Sequence, residues 1–253
     1  MLKLYHAEPL ANSLKSLIPL KEKGLDFQSV YVDLHKFEQH APWFVAINPE
    51  GQVPVLDHDG TIITHTSVIN EYLEDAFPEA PALRPADPVG KARMRYWNKF
   101  VDEQVMNYVS IHGWHRMVSI IARSIDSGEF DKLMERIPLH EQREKWKAAR
   151  SGFSQADLDN ATRKIEVAVD KIEQQLSKTP FLAGESYTLA DVNFFATCGI
   201  AVNRLFPEMD VPKRAPRLMD WQARVAARPG VKAALSMPDR TNPALRTFSG
   251  EAR

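Results

Sequence analysis

Along the first eighty residues the spacing of hydrophobic positions changes several times. Leu2, Leu4 and Tyr5 in "LKLYH" mark a short β-prone run. In "SLKSLIPLKEKG", Leu14, Leu17, Ile18 and Lys21 fall at helical spacing, and Gly24 suits the position just past a helix end. Pro19 lies inside that pattern. Because proline has no N–H, a kink or a non-helical first turn is expected there. "DFQSVYVDL" reads as a second strand and "QHAPWFVAI" as a short irregular helical turn. "VPVLD" and "TIIT" flank "HDG", and Asp59-Gly60 between β-branched runs predicts a hairpin. Pro54 cannot donate to a sheet ladder, so "VPVLD" is either an edge strand or keeps its proline for another purpose. "SVINEYLEDAF" closes the region as an amphipathic helix. The predicted order is β-α-β-(α)-β-β-α, a parallel βαβ crossover followed by a hairpin and a helix.

The pattern then changes character. Pro78, and then Pro81, Pro85 and Pro88 within "APALRPADPVG", break any helix, and every long segment after this stretch has helical periodicity. The expected architecture is α/β plus all-α: residues 1–80 as an α/β domain, 81–90 as linker, and 91–253 as a helical bundle. Within the helical half, "SYTLADVNFF" places Thr188 as N-cap and Asp191 at N3, a capping box with Asp in place of Glu. Tyr187 and Val192 occupy the positions of a hydrophobic staple. Asp191 is therefore read as a helix-start residue, with a cap worth about 1 kcal/mol.

Composition narrows the function classes. The 253 residues are 44 % hydrophobic and 26 % charged, with a net charge of −1. That balance offers no global attraction to nucleic acid or to an anionic membrane. No apolar run approaches the ~20 residues of a membrane span, and the N-terminus lacks the features of a secretory signal, so cytoplasmic residence is expected. Cys198 is the one cysteine, set in an apolar helical pattern, and is read as a small core residue. Any sulfur chemistry would then use a sulfur brought by a bound molecule.

Taken together, the β-α-β-α-β-β-α order, "Gly51-Gln52-Val53-Pro54-Val55-Leu56", the proline-rich linker and "Tyr187-Thr188-Leu189-Ala190-Asp191" resemble the glutathione transferases, with a thioredoxin-like first domain and a helical second one. Within them the chain is most similar to the bacterial β-aryl etherases, which cleave lignin-derived aryl ethers. "ANSLK", "EKGLDF", "KFEQHAPWF", "INPEGQVPVL", "SVINEYLED", "LRPADP", "VDEQ" and "EQREKWKAARSGF" carry that narrower likeness.

The resemblance implies glutathione as cofactor and assigns residues to it. Val53 would precede a cis X-Pro bond, and its N–H and C=O would pair with the cysteinyl backbone of glutathione, next to Gln52 and Pro54. His40 falls where the family often reaches the glycine end. Thr66 and Ser67 begin a helix whose free N–H groups suit a carboxylate. His65 stands where the family usually has Glu, so an imidazole replaces a carboxylate beside the γ-glutamyl end. Asn12 and Ser13, at the start of the first helix, would activate the thiol. A free thiol has a pKa of about 8.5, and lowering it by two units takes roughly 2.7 kcal/mol of preference for the thiolate. Hydrogen bonds and a helix N-terminus can supply this.

Tyr108, His112, Trp114 and His115 are the expected substrate wall, with no metal site. Lys145, Trp146 and Lys147 lie on a helix that covers the site or presents a charged face. The implied reaction is displacement of a phenolate by the glutathione thiolate, giving a thioether. A generalist transferase or peroxidase, or a weakly active subunit of a heterodimeric etherase, are the alternatives. The implied partners are glutathione, an aromatic ether and a second subunit, as a homodimer or as a heterodimer with a related chain.

Overall fold

The computed structural model describes residues 1–200, 202–238 and 240. Its N-terminal part is a four-stranded sheet in the order β2-β1-β3-β4, formed by β1 (Leu2–His6), β2 (Phe27–Tyr31), β3 (Val55–His58) and β4 (Thr61–Thr64). Parallel β1 and β2 are joined through helix α1 (Ala11–Glu22). β3 runs antiparallel to β1, with Leu4 opposite Leu56, and to β4, with Leu56 opposite Ile63. Asp59 and Gly60 turn the hairpin with φ of 51° and 89°, both positive as a two-residue type I′ turn requires. The short helix α2 (Pro42–Val45) precedes the hairpin, and α3 (Thr66–Ala76) follows it. This is a thioredoxin-like unit.

β3 is thus an interior strand, but it starts only at Val55. Pro54 stands just before the ladder and removes no hydrogen bond from it. The Val53–Pro54 peptide is cis. Pro19 is accommodated differently: α1 continues through it to Glu22. The missing proline N–H leaves the Lys15 carbonyl, four residues earlier, without its helical donor. Asn70 Nδ2, reaching across from α3, donates to that carbonyl at 3.0 Å.

The second part is helical. It comprises α4 (Pro88–Phe100), α5 (Met106–Gly113), α6 (Ser119–Ser124), α7 (Ser127–Arg136), α8 (His140–Ser151), α9 (Gln155–Leu176), α10 (Leu189–Phe194), α11 (Val202–Leu205), α12 (Val211–Arg214), α13 (Pro216–Ala226) and α14 (Pro229–Leu235). α4 begins within the proline-rich stretch because Pro88 occupies a first-turn position, where no N–H is needed, and Asp87 caps it. The long apolar pattern after Pro88 is one continuous path broken by π turns at Val101–Val105 and Trp114–Val118. Each π turn rotates the side chains beyond it away from simple helical spacing.

The capping box at α10 is present, and Asp191 does more than cap. Its carboxylate accepts from Thr188 N at 2.9 Å, from Leu182 N at 3.0 Å and from Trp221 Nε1 at 2.9 Å. It ties three segments together, so the value of a simple cap understates it. One hydrophobic cluster runs from Leu4 and Leu14, through Trp97 and Ile165, to Trp221 and Val231, joining sheet and bundle. Cys198 lies in that cluster, and burial pushes its thiol up to about 12. No helix among the described residues is long and apolar enough to cross a membrane.

Candidate active site

The N-termini of α1 and α3 open toward one cleft of about 200 Å³. Each begins at strained backbone. Ala11 has φ of 47° and His65 has φ of 64°, unusual for residues with a Cβ. Neither helix has a side-chain cap, and the N–H groups of their first turns have no acceptor among the described residues. Asn12 lines the cleft from α1; Thr64, His65, Thr66 and Ser67 line it from β4 and α3.

Between them lies the turn before β3, which contributes Asn48, Glu50, Gln52, Val53 and Pro54. Asn48 holds this turn by accepting from Glu50 N at 3.1 Å and donating to Gln52 O at 2.8 Å. Gly51 is required there. A Cβ on it would lie 2.6 Å from His40 Nδ1 and 2.9 Å from Gln39 O. The N–H and C=O of Val53 make no hydrogen bond among the described residues. An extended peptide would find there one donor and one acceptor, beside two helix N-termini. The residues therefore fit glutathione, a tripeptide with two carboxylates and an ammonium.

The helical domain closes the cleft with Asp102, from the first π turn, and Met106. Lys15, one turn after Asn12, crosses to meet Asp102, with Nζ 3.2 Å from Oδ1. Burial pulls the Lys15 pKa below the usual lysine range, and Asp102 partly restores it. Glu50 Oε2 lies 3.6 Å from His65 Nε2, so a carboxylate stands beside the imidazole.

Other residues singled out from the sequence lie elsewhere. Ser13 is buried next to the cleft, and its Oγ accepts from Ala7 N at 3.0 Å, leaving its O–H to donate. His40 sits behind the Gly51 turn with no partner for Nδ1 among the described residues, and burial, assisted by Arg136, lowers its pKa to about 4. Tyr108 packs at the margin of the main core. Trp114 stands edge-on to Trp146 at 5.3 Å, with Lys145 Nζ 4.8 Å above its ring. Burial lowers the Lys145 pKa to about 8.

His112 and His115 border a second cavity, of about 550 Å³, with Arg116, Asp159, Thr162 and Glu208. His112 Nε2 is 3.0 Å from Thr162 Oγ1. No cluster of three potential metal ligands occurs among the described residues.

Lys15, Glu50, Asp102 and Met106 are cleft residues that sequence reasoning passed over. Glu50 stands directly before the Gly51–Leu56 element. Lys15 offered a weak signal, being a cation one turn from Asn12 and next to the apolar Leu14. Asp102 lies in "VDEQ", a segment similar to the β-aryl etherases, but nothing in that segment gave it a role.

Residues 1–75 match the glutathione S-transferase N-terminal domain family and residues 155–224 the C-terminal domain family. The chain is 46 % identical to protein LigF of Sphingobium sp. strain SYK-6 over 235 residues, 91 % of each chain. The crystal structure of β-etherase LigF superimposes with a TM-score of 0.89 and 45 % identity, covering 92 % of this chain and 98 % of that one. Glutathione S-transferase 2 of Saccharomyces cerevisiae is 28 % identical over 228 residues, 89 % of this chain and 85 % of the yeast protein. A Sulfitobacter glutathione transferase homologue with bound glutathione shares the fold, at 24 % identity and a TM-score of 0.64, over 92 % of this chain and 96 % of that one.

Proposed function

This chain belongs to the glutathione S-transferase superfamily, and from that premise we propose that it cleaves β-aryl ethers of lignin-derived aromatic compounds with glutathione. The observation carrying this reading is the likeness to a β-etherase along nine-tenths of the chain. Glutathione supplies a thiolate that displaces a phenolate from the carbon beside a ketone, giving a thioether. The residues of the chain prepare that exchange. Val53 offers its free N–H and C=O to the peptide backbone, flanked by Gln52 and Pro54. Thr66 and Ser67 present the α3 N-terminus to a carboxylate. Asn12, the Ser13 hydroxyl and the α1 N-terminus stabilise negative charge at the sulfur. His40 acts from behind, holding the Gly51 turn in shape.

The aryl ether rests against Met106 and the helical wall. Of the residues expected on that wall, Trp114 is the one next to the other tryptophan of the region; His112 and His115 face the second cavity. Exposed Ile62, Val68, Val89 and Tyr96 leave apolar surface for a second subunit. The test is turnover of a fluorogenic β-aryl ether with glutathione. Asn12→Ala and Ser13→Ala should each lower kcat by about tenfold or more, roughly 1.4 kcal/mol of barrier. Normal rates in both variants would remove the activating pair, and absence of turnover with glutathione bound would remove the etherase reading.

A further inference from the structure

Lys15 is an expensive residue to bury. Its side chain is 3 % exposed, and an ammonium out of water needs compensation. Among the described residues Nζ has a single acceptor, Asp102 Oδ1 at 3.2 Å, although an ammonium carries three donors. Asp102 also accepts from Asn193 Nδ2 at 3.1 Å and is itself 40 % exposed. Both members of this pair are cleft wall. The ammonium therefore has N–H groups to offer a bound molecule that carries negative charge.

Position indicates which part of that molecule. Helical side chains lean toward the N-terminus, so the Lys15 ammonium returns toward the level of Asn12. Pairing with Asp102 draws it off the α1 axis to the helical-domain wall, near Met106. The sulfur is already served by Asn12, Ser13 and the first turn of α1. In an in-line displacement the departing atom lies across the carbon from the sulfur, which here is the helical-domain side. We propose that Lys15, steered by Asp102, is the cation that meets the phenolate oxygen as it leaves.

This role rests on the etherase reading. The sulfur–carbon bond forms from the thiolate electron pair while the carbon–oxygen bond breaks, its pair passing to oxygen. Phenolate and thioether are the products, and the ammonium keeps its proton. A fixed cation where charge develops favours the transition state over the ground state.

4-Nitrophenol tests the contact without turnover, because only its anion is yellow. With S-methylglutathione filling the thiol side, bound 4-nitrophenol should ionise about one pH unit below the free phenol, a tenfold preference for the anion. Lys15→Met should abolish that shift and Lys15→Arg should keep it; Lys15→Gln, able to hydrogen-bond Asp102, serves if the methionine variant does not fold. In turnover, Lys15→Met should slow ethers of unsubstituted phenol by about 100-fold and nitrophenyl ethers far less. An unshifted phenol on the wild-type chain, or the same shift in Lys15→Met or Lys15→Gln, overturns the role. So does an equal loss for every leaving group, which would put Lys15 at the sulfur. A wild-type chain that binds glutathione but cleaves no aryl ether overturns the etherase reading, while the phenol titration still judges Lys15.

Discussion

At the scale of single residues, His65 stands where the resemblance implies a glutamate, so on the proposed reading the γ-glutamyl ammonium needs another partner. The neighbouring chain supplies one. Glu50 lines the same cleft, 3.6 Å from the imidazole, and both side chains are partly exposed. A carboxylate three residues before Val53 can thus serve an ammonium that the α3 entry no longer serves. Glu50→Gln should then weaken glutathione binding by about tenfold in calorimetry, or 1.4 kcal/mol. Read from the sequence alone, His65→Glu looks like a repair that tightens binding. Beside Glu50 it instead sets two carboxylates together, whose repulsion opposes any gain. No tightening is expected, and a clear gain in affinity for His65→Glu would show that Glu50 does not hold the ammonium.

At the scale of elements, α1 depends on α3 for a hydrogen bond it cannot make itself. Pro19 orphans the Lys15 carbonyl, and Asn70 satisfies it. Asn70→Ala should cost about 1–3 kcal/mol, because it strands a buried acceptor. Pro19→Ala restores the helical donor, so in that background Asn70→Ala should cost far less. Urea midpoints for the four chains of this cycle measure the coupling, and additive losses would mean the two residues act separately. The same contrast explains what could be read from the sequence. The Asp59-Gly60 hairpin and the Thr188–Asp191 box are local, so their residue types declare them. The π turns are not: the apolar pattern from Pro88 onward looks like one helix, and the breaks at Val101 and Trp114 redirect the side chains beyond them. Spacing puts Tyr108, His112 and His115 on one face. In the fold, the two histidines border a second cavity while Tyr108, in the same unbroken α5 as His112, packs at the core margin, so what packs against each side chain parts them and not the π turns. Lys15 and Asp102 are 87 residues apart, and only packing of α1 on the bundle reveals them as a pair.

At the scale of the whole molecule, α1 is held by elements far apart in sequence. α1 packs on α3 and on α14, the last described helix, and its Leu14 and Leu17 share a hydrophobic cluster with Leu4 and Leu56 of the sheet. Arg228 grips Glu22 through two hydrogen bonds, of 2.9 and 2.8 Å. Close approach is possible because α14 carries glycine at the contact. A Cβ on Gly230 would stand 2.7 Å from Glu22 Cα and N, backbone atoms that cannot swing aside. Since one hydrophobic cluster joins sheet and bundle, the thioredoxin-like and helical parts should unfold together, without a stable half-folded state. Gly230→Val should push α14 off α1 and lower stability by about 1–3 kcal/mol. The loss should appear as a shift of one transition, with tryptophan fluorescence and far-ultraviolet circular dichroism still coincident. Trp97 and Trp221 report the bundle directly, and backbone dichroism reports both parts. Separation of the two signals in the variant, with the bundle melting at its wild-type midpoint, would mean that α14 clamps α1 without linking the two parts thermodynamically. Coincident signals at a lower midpoint would place the geometry of Asn12 and Lys15 under the control of a helix more than 200 residues away in sequence.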